Sequence, residues 1–259
     1  MANWNEPRPT GSGFAGAPGV AGQGGAVVFD AGLRQHMLSI YNYMTSGVLL
    51  TGIVALLFQR SSFFEMAYRT ELTAAGAMLQ PTGLGWIIQL SPLAFMLFWW
   101  FGARSASEGT LKAAFWGFCT AFGLSLSTIF AIYTGQSIAM AFFSTAAAFA
   151  GLSLYGYTTK KNLSGWGSFL IMGVVGLMVA MLLNAFVFQS GAFGLAISAI
   201  GVLIFAGLTA YDTQRLKDEY SMVRGTEWAG KAVIFGALNL YLDFINMFLF
   251  ILRMFGSRE

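Results

Sequence analysis

The stretch VIFGALNLYLDFINMFLFIL (233–252) decides the fold. Wound as a helix at ~1.5 Å per residue it spans about 30 Å, the thickness of the hydrocarbon core of a bilayer. It shows none of the apolar–polar alternation that a strand of an outer-membrane barrel needs. Its polar residues are Asn239, Asp243 and Asn246, which fall with Arg253 on one helical face that Phe250 completes. Leu240, Leu242, Phe244, Ile245 and Phe248 point elsewhere. A membrane helix with one polar stripe belongs at the centre of a bundle, where that stripe is kept out of lipid.

Outward from this helix the rest of the chain has the same character. It is 56% hydrophobic and 10% charged, whereas a water-soluble domain carries roughly a quarter charged residues. A soluble globular fold is excluded. Six further apolar runs are predicted to span the bilayer, at about 37–58, 83–103, 111–133, 137–157, 166–188 and 192–211. Trp86, Trp99, Trp100, Trp116 and Trp166 fall near their ends, where indoles favour the interface. The fold class is therefore all-α, a polytopic bundle of seven transmembrane helices with the seventh central. Within the spans, small residues such as Ala146–Ala148, Gly151, Gly173 and Gly176 permit close helix contact. Residues 1–28 hold seven glycines and three of the five prolines and read as a disordered cytoplasmic tail, leaving 29–259 as the membrane domain. Residues 29–36, with Asp30 and Arg34, suggest a short helix on the membrane surface.

Basic residues set the orientation. Arg8, Arg34, Arg104, Lys112, Lys160, Lys161, Arg215, Lys217, Arg224 and Lys231 collect on one side, against Arg60, Arg69, Arg253 and Arg258 on the other. The amino terminus is expected in the cytoplasm. Seven spans then export the carboxyl terminus, unless the last segment only dips into the membrane. Because the basic residues are scattered over short loops, they are topology signals and not a nucleic-acid surface. The one cysteine, Cys119, forbids an intrachain disulfide, and the one histidine, His36, removes imidazole relays and paired-His metal sites. No cofactor is expected. Lys231 lies at or outside the start of the last span, which disfavours a retinal Schiff base.

All seven glutamates lie outside the spans, as do Asp30 and Asp218. Asp212, at the inner end of the sixth span, and Asp243, well inside the seventh, remain. A mid-membrane carboxylate costs roughly 2.5–3.5 kcal/mol on insertion scales and is seldom kept without a partner or a water-filled cavity. Asp212 has an interfacial partner to hand in Arg215, three residues on. Since spans six and seven share one loop, Asp212 and Asp243 are also expected to meet. Two adjacent carboxyls in low dielectric cannot both ionise cheaply and share one proton, so the pair would sense pH. Arg104, at the end of span two, or Lys217 could neutralise it and lock it. Asn239 and Asn246 support the pair or only join helices.

These residues lie in stretches that resemble the transmembrane Bax inhibitor motif family, in its bacterial YccA- and YbhL-like branch. The matching stretches are LSLYGYTTKK (152–161), GLTAYDTQ (207–214) and LYLDFINMF (240–248). The likeness runs from about Ala31 to the end. It implies a seven-span protein of a bacterial inner membrane whose last helix is central, and a pH-sensitive calcium leak governed by an aspartate pair. That pair carries onto Asp212 and Asp243, and a latching arginine onto Arg104. The same two acids are then the metal expectation, as transient ligands of permeant Ca²⁺. One departure bears on selectivity: calcium-conducting members have an acid in span two, where this chain reads LSPLA (90–94). With fewer hard oxygens, calcium is less favoured over protons. The branch is also associated with a membrane-bound ATP-dependent protease as a partner, a role that needs no ion pathway.

Two readings follow beside each other: a cation leak, of calcium or protons, gated by the acid pair, and a non-conducting regulator of that protease. An intramembrane aspartyl protease would also need paired acids on spans six and seven. Such enzymes carry Gly-x-Gly-Asp at the second acid, where this chain has Leu240-Tyr-Leu-Asp243. An enzyme is therefore not expected.

Overall fold

The computed structural model describes residues 31–73 and 76–257; the tail 1–28 lies outside them. Helix α1 (Ala31–Gln59) is followed by a short helix α2 (Ser62–Ala67) and an antiparallel hairpin of β1 (Tyr68–Thr73) and β2 (Gly76–Pro81). Helices α3 (Gly83–Phe101), α4 (Glu108–Leu126), α5 (Ile129–Ile132), α6 (Gly135–Thr158) and α7 (Trp166–Leu183) come next. A π-turn at Asn184–Phe188 then leads to α8 (Gly191–Val223) and α9 (Trp228–Phe255). Seven of these segments, with α4 and α5 counted together, are long and apolar enough to cross a membrane.

Helix α9 is the central one: 72% of its span is buried, against 11% to 39% for the other six. It packs on α8, α6 and α4. Its far end, at Ser257, is tied to the start of α6, where Thr134 N donates to Ser257 O at 3.1 Å and Ser257 N donates to Ser137 Oγ at 2.9 Å. The α8–α9 loop lies at the opposite end of α9, so the last helix runs from one end of the bundle to the other.

Three departures from the sequence reading have local causes. Residues 31–36 are not a separate surface helix but the first turns of α1, and His36 is buried with its ring 5.3 Å from that of Tyr220. The second is the end of α8, which runs twelve residues past the predicted Tyr211. Hydropathy falls at Asp212, but DTQRLKDEYSMV contains neither Gly nor Pro, and the helix continues until Arg224 and Gly225, the latter at φ +75°. The third is the hairpin, where the sequence has no long apolar run to signal an element.

Pro92 sits inside α3, where its missing N–H leaves the carbonyl of Ile88 without a helical donor. Two hydroxyls supply one: Ser91 Oγ at 2.8 Å from the same helix and Ser125 Oγ at 2.7 Å from α4. Repair by neighbouring Ser side chains is what makes proline tolerable within a membrane. Ser125→Ala should lower the stability of the α3–α4 seam by roughly 0.5–1.5 kcal/mol. Thermal unfolding in detergent would check this, with Ser105→Ala, an exposed serine in the following turn, as the neutral comparison.

Candidate functional site

The three family-like stretches meet where α6, α8 and α9 pack together, and each residue of Tyr211-Asp-Thr-Gln214 has a different task. The Tyr211 hydroxyl lies against Gly167 of α7, where a Cβ would come within 2.5 Å of it. Thr213 Oγ1 shares a hydrogen bond of 2.9 Å with Ser153 Oγ on α6, and that hydroxyl shares another of 2.6 Å with Tyr41 OH on α1. Gln214 holds the α6–α7 loop by accepting from Leu163 N at 2.7 Å and donating to Lys161 O at 2.8 Å. Lys217, one turn on, donates to Tyr157 O at 2.9 Å near the end of α6. Lys217 is thus engaged with the backbone of α6.

The carboxyl groups of Asp212 and Asp243 face one another across the α8–α9 seam, close enough to interact directly. A hydrogen bond between two carboxyls needs a proton, since a pair of carboxylates offers only acceptors. Both residues are buried, at 8% and 4% exposure. Asp243 Oδ2 has no hydrogen-bond partner among the described residues. Asp212 Oδ1 also lies 3.5 Å from the Arg215 guanidinium, which is half exposed. Asp212 therefore takes both partners that the sequence offered, Asp243 across the seam and Arg215 along its own helix.

The other expected site residues are less closely gathered. Asn239 lies half-buried one turn from Asp243, towards the α8–α9 loop. Asn246 Nδ2 donates to Leu242 O at 2.8 Å, four residues back, so its amide is used within α9. Arg104 is exposed in the turn after α3 and forms no ion pair with either acid among the described residues. The physical reason is simple: α8 continues as a helix past Asp212, so i to i+3 geometry puts Arg215 at the carboxylate without any contact from span two. Residues that the sequence reading passed over are Tyr41, Ser153 and Thr213. Hydroxyls in spans usually bond back to their own helix, as Thr145 does to Ala141 O, so their residue types alone do not reveal an interhelical chain.

Tyr241, two residues before Asp243, fixes the rotation of α9. It is fully buried, shares a 2.7 Å hydrogen bond with Thr51 Oγ1 of α1, and is ringed by Phe115, Phe118 and Phe122 of α4. Phe244 packs edge-on to Phe142 and Phe149 of α6. With Tyr241 held on one side and Phe244 on another, Asp243 is aimed at α8. For a metal, the two carboxyls are the hard ligands available; no group of three or more His, Cys, Asp or Glu occurs among the described residues. Ca²⁺ takes 6–8 oxygens, more than two carboxyls supply.

The family model for the inhibitor of apoptosis-promoting Bax1 matches residues 33–259. Among curated proteins, the chain is 42% identical to the inner membrane protein YbhL of Escherichia coli over 88% of this chain and 94% of that protein. It is 45% identical to an uncharacterized protein of Caulobacter vibrioides, over 89% of this chain and 91% of that one. An uncharacterized protein of Rickettsia prowazekii is 40% identical, over 89% and 93% respectively. With a matching family model over nearly the whole membrane domain and relatives that align almost end to end, this seven-helix membrane protein belongs to the Bax inhibitor family.

Proposed function

We propose that the protein is a pH-sensitive cation leak of a bacterial inner membrane, passing protons or calcium, with the Asp212/Asp243 pair as its gate. Its amino terminus and α8–α9 loop then face the cytoplasm, the side on which the positive charges collect. The observation that carries this reading is the approach of two buried carboxyls on adjacent helices, the central α9 and its neighbour α8, one of them paired to a half-exposed arginine. As pH rises, the pair gives up its shared proton, the added negative charge tightens its hold on Arg215, and the helices stay closed. As pH falls, protonation weakens that hold and α8 is free to move relative to α9. The latch in this mechanism is Arg215, with Arg104 outside it.

Reconstitution in liposomes tests the proposal. Flux of wild-type protein should rise on acidification from about pH 8 to about pH 6 as the pair takes up a proton. Unchanged flux in both Asp212→Asn and Asp243→Asn overturns the leak, and would leave a non-conducting partner of a membrane-bound ATP-dependent protease as the better reading. The two arginines separate cleanly. Arg215→Ala should raise flux at the alkaline end by roughly two- to fivefold, the range for a partly exposed ion pair. Arg104→Ala should leave the pH profile in place.

A further inference from the structure

A groove of about 330 Å³ runs along the α8–α9 seam on the side of the loop that joins them. Its walls are Arg215, Glu219 and Val223 from α8 and Trp228, Phe235 and Asn239 from α9. Val223 and Trp228 flank the loop and form its mouth, and Lys231 stands over the Trp228 ring at 5.0 Å. At its inner end lie Arg215, one turn from Asp212, and Asn239, one turn from Asp243. The inner end of the groove thus lies one turn from each acid, and Arg215, which lines it, is held by Asp212 at 3.5 Å. Glu219 lies four residues beyond Arg215 and faces the same groove, which is the spacing of a helical ion pair. Arg215 thus has two acids within its reach, Asp212 at the inner end and Glu219 towards the mouth.

We propose that this groove is the aqueous route by which protons and small cations reach the Asp212/Asp243 pair from the loop side, and that Arg215 is its plug. With the guanidinium on Asp212, the route is closed and the positive charge repels an arriving cation. With the guanidinium turned to Glu219, the route opens onto Asn239, whose amide oxygen offers a neutral ligand next to Asp243. A cation of small size fits this lining, since its polar groups are one acid, one amide and the movable arginine. The proposal rests on the reading of the pair as an ion-responsive site, but it makes a claim about access that needs no flux to test.

Cysteine labelling in sealed vesicles provides the test. Cys119 is fully buried, so the wild type supplies an unreactive background for a membrane-impermeant maleimide. Met222→Cys, at a side chain 73% exposed near the loop, marks the loop face. Leu203→Cys, exposed on the apolar part of α8, should stay unlabelled from either side. Ala232→Cys, at a residue that also lines the groove, and Asn239→Cys should label from the same face as Met222→Cys. In an Arg215→Ala background Asn239→Cys should react about two- to fivefold faster, the range a half-exposed ion pair spans, while Ala232→Cys, nearer the mouth, should be unchanged. Arg215→Lys should restore the slower rate. Should Asn239→Cys fail to assemble, Phe235→Cys carries the same comparison. Labelling of the inner position from the opposite face, or a rate indifferent to Arg215, overturns the route and the plug. A groove that labels as described in a protein whose flux ignores both acid-to-amide substitutions overturns the leak and leaves the route standing.

Discussion

Gly156→Leu should prevent α6 from seating on α8 and cost about 3 kcal/mol or more of stability, at or beyond the upper end of overpacking in a filled core. A Cβ at Gly156 falls onto the carbonyl oxygen of Ala210 and within 3.0 Å of that residue's Cα and carbonyl carbon. These are backbone atoms of a helix and cannot rotate aside, so α6 itself must withdraw. The Ser153–Thr213 hydrogen bond lies one turn from Gly156, and the Lys217–Tyr157 bond beside it. Withdrawal breaks both, and membrane hydrogen bonds of this kind contribute roughly 0.6 kcal/mol each. At Gly151, on the same helix, a Cβ would meet nothing within 4 Å, so Gly151→Leu should be near neutral. Thermal unfolding of the purified protein in detergent compares the two; equal midpoints would show that the close approach is not what holds α6 to α8.

Replacing either acid of the pair with its amide should abolish the pH response, but with opposite residual flux. Asp243→Asn leaves Asp212 as a lone carboxylate that accepts from the new amide and keeps its ion pair with Arg215. The pair then has no shared proton to gain, and flux should be low throughout. Asp212→Asn removes the partner of Arg215, mimics the protonated state and should give high flux throughout. The wild type lies between, rising as pH falls and by no more than about tenfold per unit, the limit for one proton. Flux measured in liposomes at a series of pH values decides this. Two amide variants with the same residual flux would show that the acids do not differ in their hold on the arginine.

Much of this architecture is legible in the sequence because lipid imposes simple rules. A run of some twenty apolar residues has to be a helix, and a helix bearing Asn239, Asp243 and Asn246 has to turn that stripe away from lipid. The meeting of Asp212 and Asp243 follows from the adjacency of their helices. Elsewhere the signals are weaker. Hydropathy ends α8 at Tyr211 because it marks where the membrane ends and not where the helix does. The hairpin at 68–81 is short, lies outside the spans and carries no periodic pattern long enough to stand out.

Arg104 illustrates the limit at the site itself. A resemblance transfers the idea of an arginine, but which arginine reaches the carboxylate depends on helix length and side-chain geometry. Because α8 runs on to Val223, Arg215 is carried on the same helix as Asp212 and needs no movement of span two to reach it. The chain Tyr41–Ser153–Thr213 is hidden for a related reason: three hydroxyls on three helices carry no signal until the helices are packed.

The sequence by itself determined the class of fold, the number of apolar spans and the presence of two acids, Asp212 and Asp243, at or within them. Burying a charge or leaving a backbone group unpaired in lipid is so costly that composition and order leave few alternatives. Tertiary structure decided the rest. It set which side chains stand beside those acids, which arginine pairs with Asp212 and where a groove opens along the α8–α9 seam. Such choices turn on contacts of a few ångströms between helices far apart in the chain, and neither hydropathy nor spacing specifies them.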